Sequence, residues 1–283
     1  MSLKKPVKVG FFPGCSLATS ATENEESLRI FCSEIGYELE TISDWNCCGS
    51  TSAHSINSRA SFWLAARNLA LAPQDKPLVV ACPNCYKRLR KTQVQILDNP
   101  ASREEFEKTW GKFPEQLQLV PFLDFLASRE LGTYREKAYQ SLNNLKFVPY
   151  YGCMLAMPPK IVNEASHMGV MENTLGRLGA RPISWGHWSR CCGTFLSIAK
   201  PELVKPIIND IMDAAYRAGA ECLVTACAMC HLNLEVRCTT PKKLPIFHFS
   251  ELLALTAGVS GAKPWFNRHI IDPGPLLKSR KLI

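Results

Sequence analysis

The spacing of the cysteines constrains this chain more than any other feature of its sequence. Ten of the thirteen cysteines form one pattern that occurs twice: a single cysteine, an adjacent pair followed by glycine, and a C-x-x-C. The gaps are 31 and 33 residues in the first copy and 37 and 34 residues in the second. The copies are Cys15, Cys47, Cys48, Cys82 and Cys85, and Cys153, Cys191, Cys192, Cys227 and Cys230. Thiols that serve only as small buried apolar groups would follow no such rule.

The residues around the cysteines repeat as well, which indicates an internal duplication. "FFPGC" at 11–15 corresponds to "PYYGC" at 149–153, and "VVACPNC" at 79–85 corresponds to "VTACAMC" at 224–230. Repeats of this kind usually fold as similar units. The sequence therefore predicts two facing units with the same internal order of elements.

The predicted domains divide the chain near its middle. The N-terminal domain covers 1–145 and includes a charged, helical connector at 98–145, and the C-terminal domain covers 146–283 and ends in a basic tail. A length of 283 residues accommodates two domains of ordinary size. With 46% apolar residues such a chain can bury a core, so disulfide staples are unnecessary.

Both halves alternate short apolar runs with helical patterns, which predicts α/β units with parallel strands. In the first half, strands are expected at 7–12, 37–43 and 77–82, with helices at 22–36 and 56–72. Thr22 and Glu25 have the spacing of a capping box at the start of the first helix. In the second half, strands are expected at 146–152, 181–185 and 221–227, with helices near 161–178 and 203–218 and from 228 onward. The ten motif cysteines follow predicted strands, and loops at the carboxyl ends of parallel strands form the site in such folds.

Other functional classes are disfavoured by what the sequence lacks. The net charge is +8, but the basic residues are dispersed apart from the tail, and no nucleic-acid-binding module is found. No stretch reaches the ~18 apolar residues of a membrane span, and no secretory signal is recognised, so we expect a cytoplasmic protein. No GxGxxG, P-loop or G-x-S-x-G occurs, so electrons must be exchanged through another protein.

Five thiols per half point to a metal centre. Thiolates are soft ligands that select iron–sulfur clusters, zinc or Cu(I), and C-x-x-C occurs in both zinc and iron–sulfur sites. A structural zinc closes with four ligands, whereas an adjacent cysteine pair suits two neighbouring metal atoms or a bridging sulfur. Glycine after the pair lets the backbone approach a bulky group. Iron–sulfur sites at the strand ends are therefore expected, and zinc in one half remains the alternative.

The doubled pattern resembles the CCG-domain family and, over about residues 7–250, the B subunit of heterodisulfide reductase. The resemblance is carried by "DWNCCG", "AARNLALA", "CPNC" and "YGC…CCG…CAMCHLNL". It implies two noncubane [4Fe-4S] clusters, each held by the five cysteines of one half. It also implies a pseudo-twofold between the halves, with a disulfide or other sulfur substrate between the clusters. The partners would be a ferredoxin-like protein, the C subunit, together with a flavoprotein, the A subunit.

One departure from the heterodisulfide reductase B subunits of methanogens bears on the substrate. After Cys153 those proteins tend to have arginine-proline, whereas this chain has "MLAMPPK". The chain is therefore more similar to the sulfur-oxidising, heterodisulfide-reductase-like branch, in which a small thiol or disulfide, or a lipoyl-protein, is the substrate and electrons run outward. A CCG-type electron-transfer or anchoring subunit of a dehydrogenase complex is the alternative function.

Two histidines are candidate catalytic residues because they lie beside the motifs. His231 directly follows Cys230, and His187 precedes the second cysteine pair in "SWGHWSRCC". Either could donate a proton to a leaving thiolate or hydrogen-bond to a cluster sulfur. His231 could equally be an ordinary helix residue. Cys32 and Cys222 are predicted to be core residues, and Cys238 is given no role.

Overall fold

The computed structural model of the protein describes residues 5–50, 53–127, 140–156, 167–258 and 264–283. These residues form two four-stranded sheets, and every pair of neighbouring strands is parallel. The first sheet contains β1 (Val7–Phe12), β2 (Tyr37–Thr41), β3 (Leu78–Val80) and β4 (Leu119–Pro121). The second contains β5 (Lys146–Tyr150), β6 (Arg181–Pro182), β7 (Cys222–Thr225) and β8 (Ile246–His248).

The strand orders are β2-β1-β3-β4 and β6-β5-β7-β8, so each strand has a counterpart at the same place in the other sheet. In the first sheet Gly10 of β1 lies opposite Leu78 of β3, and in the second Val148 of β5 lies opposite Leu223 of β7. The central strands are buried apolar runs, as expected of parallel strands covered on both faces. The mixed α/β architecture with duplicated halves is thus confirmed.

Besides two 3₁₀ helices at Thr194–Leu196 and Pro264–Arg268, the described residues contain thirteen α-helices. They are α1 (Cys15–Ala18), α2 (Thr22–Glu34), α3 (Ala53–Ile56), α4 (Ser58–Ala70), α5 (Pro83–Asp98), α6 (Pro100–Trp110), α7 (Phe122–Ala127), α8 (Gly152–Ala156), α9 (Val170–Arg177), α10 (Pro201–Arg217), α11 (Ala228–Arg237), α12 (Phe249–Thr256) and α13 (Gly274–Ser279). Helix α5 begins with a proline, whose fixed φ suits the first helical position and whose missing N–H costs nothing there. The helix predicted near 161–178 is observed as α9, and 157–166 lie outside the described residues.

Two predictions about local structure were wrong. The capping box at Thr22 and Glu25 does not form, because Thr22 is already helical and Ala21 is the N-cap. The Thr22 hydroxyl accepts a hydrogen bond from Arg268 (3.0 Å), and Glu25 pairs with Arg29 (2.8 Å). The segment 98–145 is not only a helical connector, because it contributes β4 to the first sheet. "PFLDFLA" does pack on the core, through the side chains of α7.

The two halves are joined by reciprocal helix packing. Helix α12 of the second half packs on α2 of the first, and α7 of the first half packs on α9 of the second. One hydrophobic cluster therefore contains residues of both sheets, including Phe11 and Phe147. At the α2–α12 contact the hydroxyls of Ser27 and Ser250 lie 2.7 Å apart in a buried hydrogen bond. This packing brings the carboxyl ends of the two sheets, and the loops that follow them, close to each other.

Leu252→Ala is expected to destabilise the protein by about 2–5 kcal/mol, because it leaves a cavity in the cluster that joins the halves. Leu252 lies on α12 and is completely buried. Leu203→Ala is the control, since that side chain is 56% exposed and its truncation should change stability by less than ~0.5 kcal/mol. Thermal or denaturant unfolding of anaerobically purified protein measures both. Equal stabilities of the two variants would contradict the structural role of the α2–α12 contact.

Within the described residues, none of the helices is both long enough and apolar enough to cross a membrane.

Candidate metal centre

The five N-terminal motif cysteines converge beyond the carboxyl ends of β1, β2 and β3. The sulfurs of Cys15 and Cys47 are 3.7 Å apart, and those of Cys48 and Cys85 are 3.2 Å apart. The Cys82 sulfur shares a hydrogen bond with that of Cys85. All five are free thiols, and their separations are far longer than the ~2.05 Å of a disulfide bond. We call these residues the N-terminal set.

The five C-terminal motif cysteines repeat this arrangement pair by pair. The sulfurs of Cys153 and Cys191 are 3.7 Å apart, and those of Cys192 and Cys230 are 3.3 Å apart. The fifth thiol, Cys227, shares a hydrogen bond with Cys230. The predicted grouping of the ten cysteines therefore matches their positions in space. We call these residues the C-terminal set.

The two sets meet through the first cysteine of each C-x-x-C. Cys82 and Cys227 belong to different halves and both are buried, and their interaction lowers the pKa of Cys82 and raises that of Cys227. Hydrogen bonds from Cys227 and Cys85 hold the pKa of Cys82 well below the ordinary value of a thiol. Sequence spacing alone could not reveal this contact, because it depends on how the halves pack.

The outer ends of both sets are open. Cys191 is exposed, and Cys15, Cys47 and Cys153 are half-buried, whereas the remaining six motif cysteines are buried. The hydrogen bond from Cys15 lowers the pKa of Cys47, and that from Cys153 lowers the pKa of Cys191. The same hydrogen bonds raise the pKa of Cys15 and of Cys153. Because the thiolate is the metal-binding form of cysteine, the lowered pKa values favour the ligand form of Cys47 and Cys191.

Glycines with left-handed backbone angles create room for the sulfurs. Gly14, before Cys15, has φ +77°, and a Cβ there would lie 2.8 Å from the Cys85 sulfur. Gly152, before Cys153, has φ +62°, and a Cβ there would lie 3.3 Å from the Cys230 sulfur. The same close approach of backbone to thiol thus occurs in both halves, at corresponding positions.

Asparagines and an arginine hold the first cysteine pair in place. The amide group of Asn68 accepts from the backbone N–H of Asn46 (3.0 Å) and donates to the Asn46 carbonyl (2.9 Å). The Asn46 side chain donates to the Cys47 carbonyl (2.8 Å) and accepts from Arg67 (2.9 Å). Sequence reasoning missed these residues, although "AARNLALA" was among the segments that carried the resemblance.

The donor set fits an iron–sulfur cluster in each half. Every one of the five converging donors is a sulfur, and five exceed the four ligands of a closed zinc site. A tetrahedral zinc would hold its sulfurs about 3.8 Å apart, so two of the observed distances would suit zinc as well. The number of thiols favours the cluster, and the distances keep zinc as the alternative.

The two candidate histidines occupy different surroundings. His187 is half-buried, and its Nε2 lies 3.1 Å from the carboxylate of Asp210, which also pairs with Arg190 (2.8 Å) just before Cys191. His231 is buried, and its Nδ1 lies 3.2 Å from the side-chain amide of Asn24. The His231 Nε2 faces Glu235 at 3.7 Å. His187 thus lies on an accessible loop beside the C-terminal set, whereas both nitrogens of His231 face buried polar groups.

The three remaining cysteines are core residues. Cys32 and Cys222 are completely buried among apolar side chains, as predicted, and Cys238 is 4% exposed.

A family model described as "Cysteine-rich domain" (CCG) matches this chain twice, over residues 9–90 and 148–235. The matched segments contain all ten motif cysteines and cover more than half of the chain. The chain belongs to the CCG family. Each match includes the first three strands of one sheet but not its fourth strand, β4 or β8, so the duplication inferred from cysteine spacing is also a duplication of the family domain.

The relatives that match over about nine tenths or more of their length are named either as an anchor subunit or after the B subunit of heterodisulfide reductase. The chain is 25% identical over 275 residues to the 8-methylmenaquinol:fumarate reductase membrane anchor subunit of Wolinella succinogenes, covering 93% of this chain and 96% of that protein. It is 22% identical to the B subunit of the ferredoxin/F420H2-dependent CoB-CoM heterodisulfide reductase of Methanosarcina acetivorans, covering 89% and 90%. It is 24% identical to a protein of Archaeoglobus profundus whose name likens it to the B subunit of heterodisulfide reductase, covering 91% and 93%.

A solved structure shares the fold. A hypothetical protein from Helicobacter pylori superposes with a TM-score of 0.70 at 9% identity, over 94% of this chain. The match spans about half of that longer protein, 52% of its length. At 9% identity the likeness concerns the fold alone.

Proposed function

We propose that this CCG protein is the catalytic iron–sulfur subunit of a heterodisulfide-reductase-like complex. The observation that carries the proposal is that the two five-thiol sets are neighbours: α1 and α5 of the first half, which follow its strands, contact α11 and α8 of the second, and Cys82 and Cys227 perturb each other's pKa. Two separate electron-transfer centres would not require such proximity. A disulfide has two sulfurs to be separated or joined, and two adjacent centres can take one sulfur each.

The chain's own residues would position the two centres. The cysteines would hold two [4Fe-4S] clusters of the noncubane type, which would supply one-electron transfer and iron sites for a substrate sulfur. The buried C-x-x-C residues fix the inner side of each set, and the accessible Cys15, Cys47, Cys153 and Cys191 border the openings. A small thiol or disulfide, or the sulfurs of a lipoyl-protein, would enter there, with electrons leaving as in the sulfur-oxidising branch.

Electron exchange requires a partner surface, and an apolar one lies beside the C-terminal set. Phe195 is 70% exposed and Ile198 is 92% exposed, directly after the second cysteine pair. Large exposed apolar groups that lie together mark interaction sites more often than isolated ones do. We assign this surface to docking of the ferredoxin-like C subunit, beyond which the flavoprotein A subunit would lie.

The proposal is tested by the iron and acid-labile sulfide contents of anaerobically purified protein, with EPR of the oxidised protein after addition of thiol. We expect about eight irons per chain and a paramagnetic signal that appears only with thiol. About four irons, or zinc in one half without a thiol response, would overturn the proposal. Those results would favour the alternative function.

The alternative is a CCG-type electron-transfer or anchoring subunit of a dehydrogenase or reductase complex. The Wolinella relative favours it, because its name describes an anchor subunit, while its match extends over nearly the whole of both chains. In this case clusters would be present without thiol-dependent signals. Reconstitution with the flavoprotein partner would then transfer electrons to a quinone analogue but would not reduce or form disulfides.

His187 is proposed as the proton donor or acceptor for the substrate sulfur, because it lies on the accessible loop before Cys191. His187→Gln should retain all of the iron and lower disulfide turnover by roughly 10²–10⁴-fold, the usual contribution of general acid–base catalysis. Parallel iron analysis and steady-state turnover provide the measurement. Unchanged turnover would contradict the role, and loss of iron would show that the His187–Asp210 pair only supports the loop.

A further inference from the structure

A second candidate metal centre lies where α11, α12 and the C-terminal segment meet. Four titratable side chains come together there, and each is at least 96% buried. They are His231 and Glu235 on α11, Glu251 on α12 and His269 after the 3₁₀ turn at Pro264–Arg268. The candidate ligand atoms of His231, Glu251 and His269 all lie within 4.8 Å of one another. We call these four residues the His/Glu cluster.

Three atoms of the His/Glu cluster have no hydrogen-bond partner although they are buried: His231 Nε2, Glu235 Oε1 and His269 Nδ1. Glu235 Oε1 lies 3.7 Å from His231 Nε2 and 3.2 Å from His269 Nδ1. A tetrahedral ion with ligands at about 2.1 Å would hold neighbouring ligand atoms about 3.4 Å apart. Buried polar atoms without partners are rare in native proteins, and three of them facing one another require an explanation.

The second polar atom of each of these side chains is held by a neighbouring group. The His231 Nδ1 lies 3.2 Å from the Asn24 amide group, and Glu235 Oε2 accepts from the backbone N–H of Ile270 (3.0 Å). The His269 Nε2 lies 2.8 Å from Glu251 Oε1. In metal sites the nitrogen of histidine that does not bind the ion typically donates to a carboxylate or carbonyl oxygen, which fixes the ring. The His/Glu cluster has this arrangement.

We propose that His231, Glu235 and His269 bind one divalent first-row cation, Zn²⁺ or Fe²⁺, with Glu251 orienting His269. Two imidazoles and one carboxylate are a ligand set for both ions. With neutral imidazoles, the charges of Glu235 and Glu251 balance that of the cation, so the buried site carries no net charge. A buried charge is costly unless it is paired or coordinates a metal.

The site would strengthen the link between three elements that already meet through packing and through the contacts of Glu235 and Glu251 with the segment of His269 and Ile270. His231 directly follows Cys230, so the cation would tie the helix of the C-terminal set to the segment that carries His269. The proposed site contains no cysteine and uses none of the thiols of either set. This inference is therefore independent of the proposed function, and it gives His231 a positioning role for Cys230 in place of proton transfer.

The test is metal analysis of the full chain, purified anaerobically from medium containing zinc and iron. We expect one metal equivalent beyond the iron that matches acid-labile sulfide. His269→Gln and Glu235→Gln should each lose this equivalent. Glu251→Gln should retain it but release it to a chelator at roughly 10–100-fold lower chelator concentration, the usual effect of removing an orienting carboxylate.

The control is His167→Gln, because His167 is also a buried histidine paired with a carboxylate, 2.7 Å from Asp124. It should keep the extra metal. X-ray absorption at the zinc edge distinguishes zinc in the His/Glu cluster from zinc in one of the thiol sets. The proposed site gives only nitrogen and oxygen neighbours, whereas zinc in a thiol set gives sulfur neighbours. The proposal is overturned if the wild type has no such metal, if its neighbours are sulfurs, or if His269→Gln retains it.

Discussion

Replacing Cys82 and Cys85 together by alanine is expected to remove about half of the iron, because three thiols then remain in the N-terminal set and four anchor a [4Fe-4S] cluster. The mirror pair of substitutions, Cys227→Ala with Cys230→Ala, should remove the other half. Iron and acid-labile sulfide per chain provide the measurement. Disulfide turnover should vanish in both double variants, because either one leaves only a single centre for two sulfurs.

The matched controls are Cys32→Ala and Cys222→Ala. Both thiols are completely buried, and the four C-x-x-C thiols are nearly so. Neither Cys32 nor Cys222 belongs to the N-terminal or the C-terminal set. They should retain all of the iron and the turnover. If either double variant kept the full iron content, the assignment of five ligands per half would be wrong. If turnover survived with half of the iron, one centre would suffice and the role of the Cys82–Cys227 contact would be refuted.

Cysteine spacing was enough to predict the two sets, because thiols that follow parallel strands are brought to one edge of a sheet. The strands themselves were predicted where they are long or apolar, as at Val7–Phe12 and Lys146–Tyr150. Strands β4 and β8 were missed. Each has only three residues, too few to show a period, and no motif cysteine follows it, whereas β3 and β6, which are no longer, each lead into motif cysteines.

The His/Glu cluster was also beyond the reach of sequence analysis. Only His231 and Glu235 carry a local signal, a spacing of four residues that places them on one face of a helix. Glu251 and His269 reach them through the packing of α12 and the C-terminal segment. The same limit applies to the contact of Cys82 with Cys227. The local sequence pattern identified most of the strands and helices and the cysteine set of each half. Which residues of the two halves meet was determined by the packing of α2 on α12 and of α7 on α9.

Gly14→Ala is expected to eliminate the N-terminal cluster, because the new Cβ would lie 2.8 Å from the Cys85 sulfur. The thiol has no room to withdraw, since it is buried and already lies 3.2 Å from the Cys48 sulfur. The substitution also places alanine at φ +77°, which costs about 1–2 kcal/mol.

Gly111→Ala separates the effect of backbone strain from that of the lost space, because Gly111 has φ +84° and no atom within 4 Å of its ideal Cβ. Both variants should unfold at a lower temperature than the wild type, but only Gly14→Ala should lose about half of the iron. Gly152→Ala, with its Cβ 3.3 Å from the Cys230 sulfur, should lose less iron from the C-terminal half. Equal iron contents in Gly14→Ala and Gly111→Ala would mean that backbone strain, and not the space beside the sulfur, explains why glycine precedes Cys15.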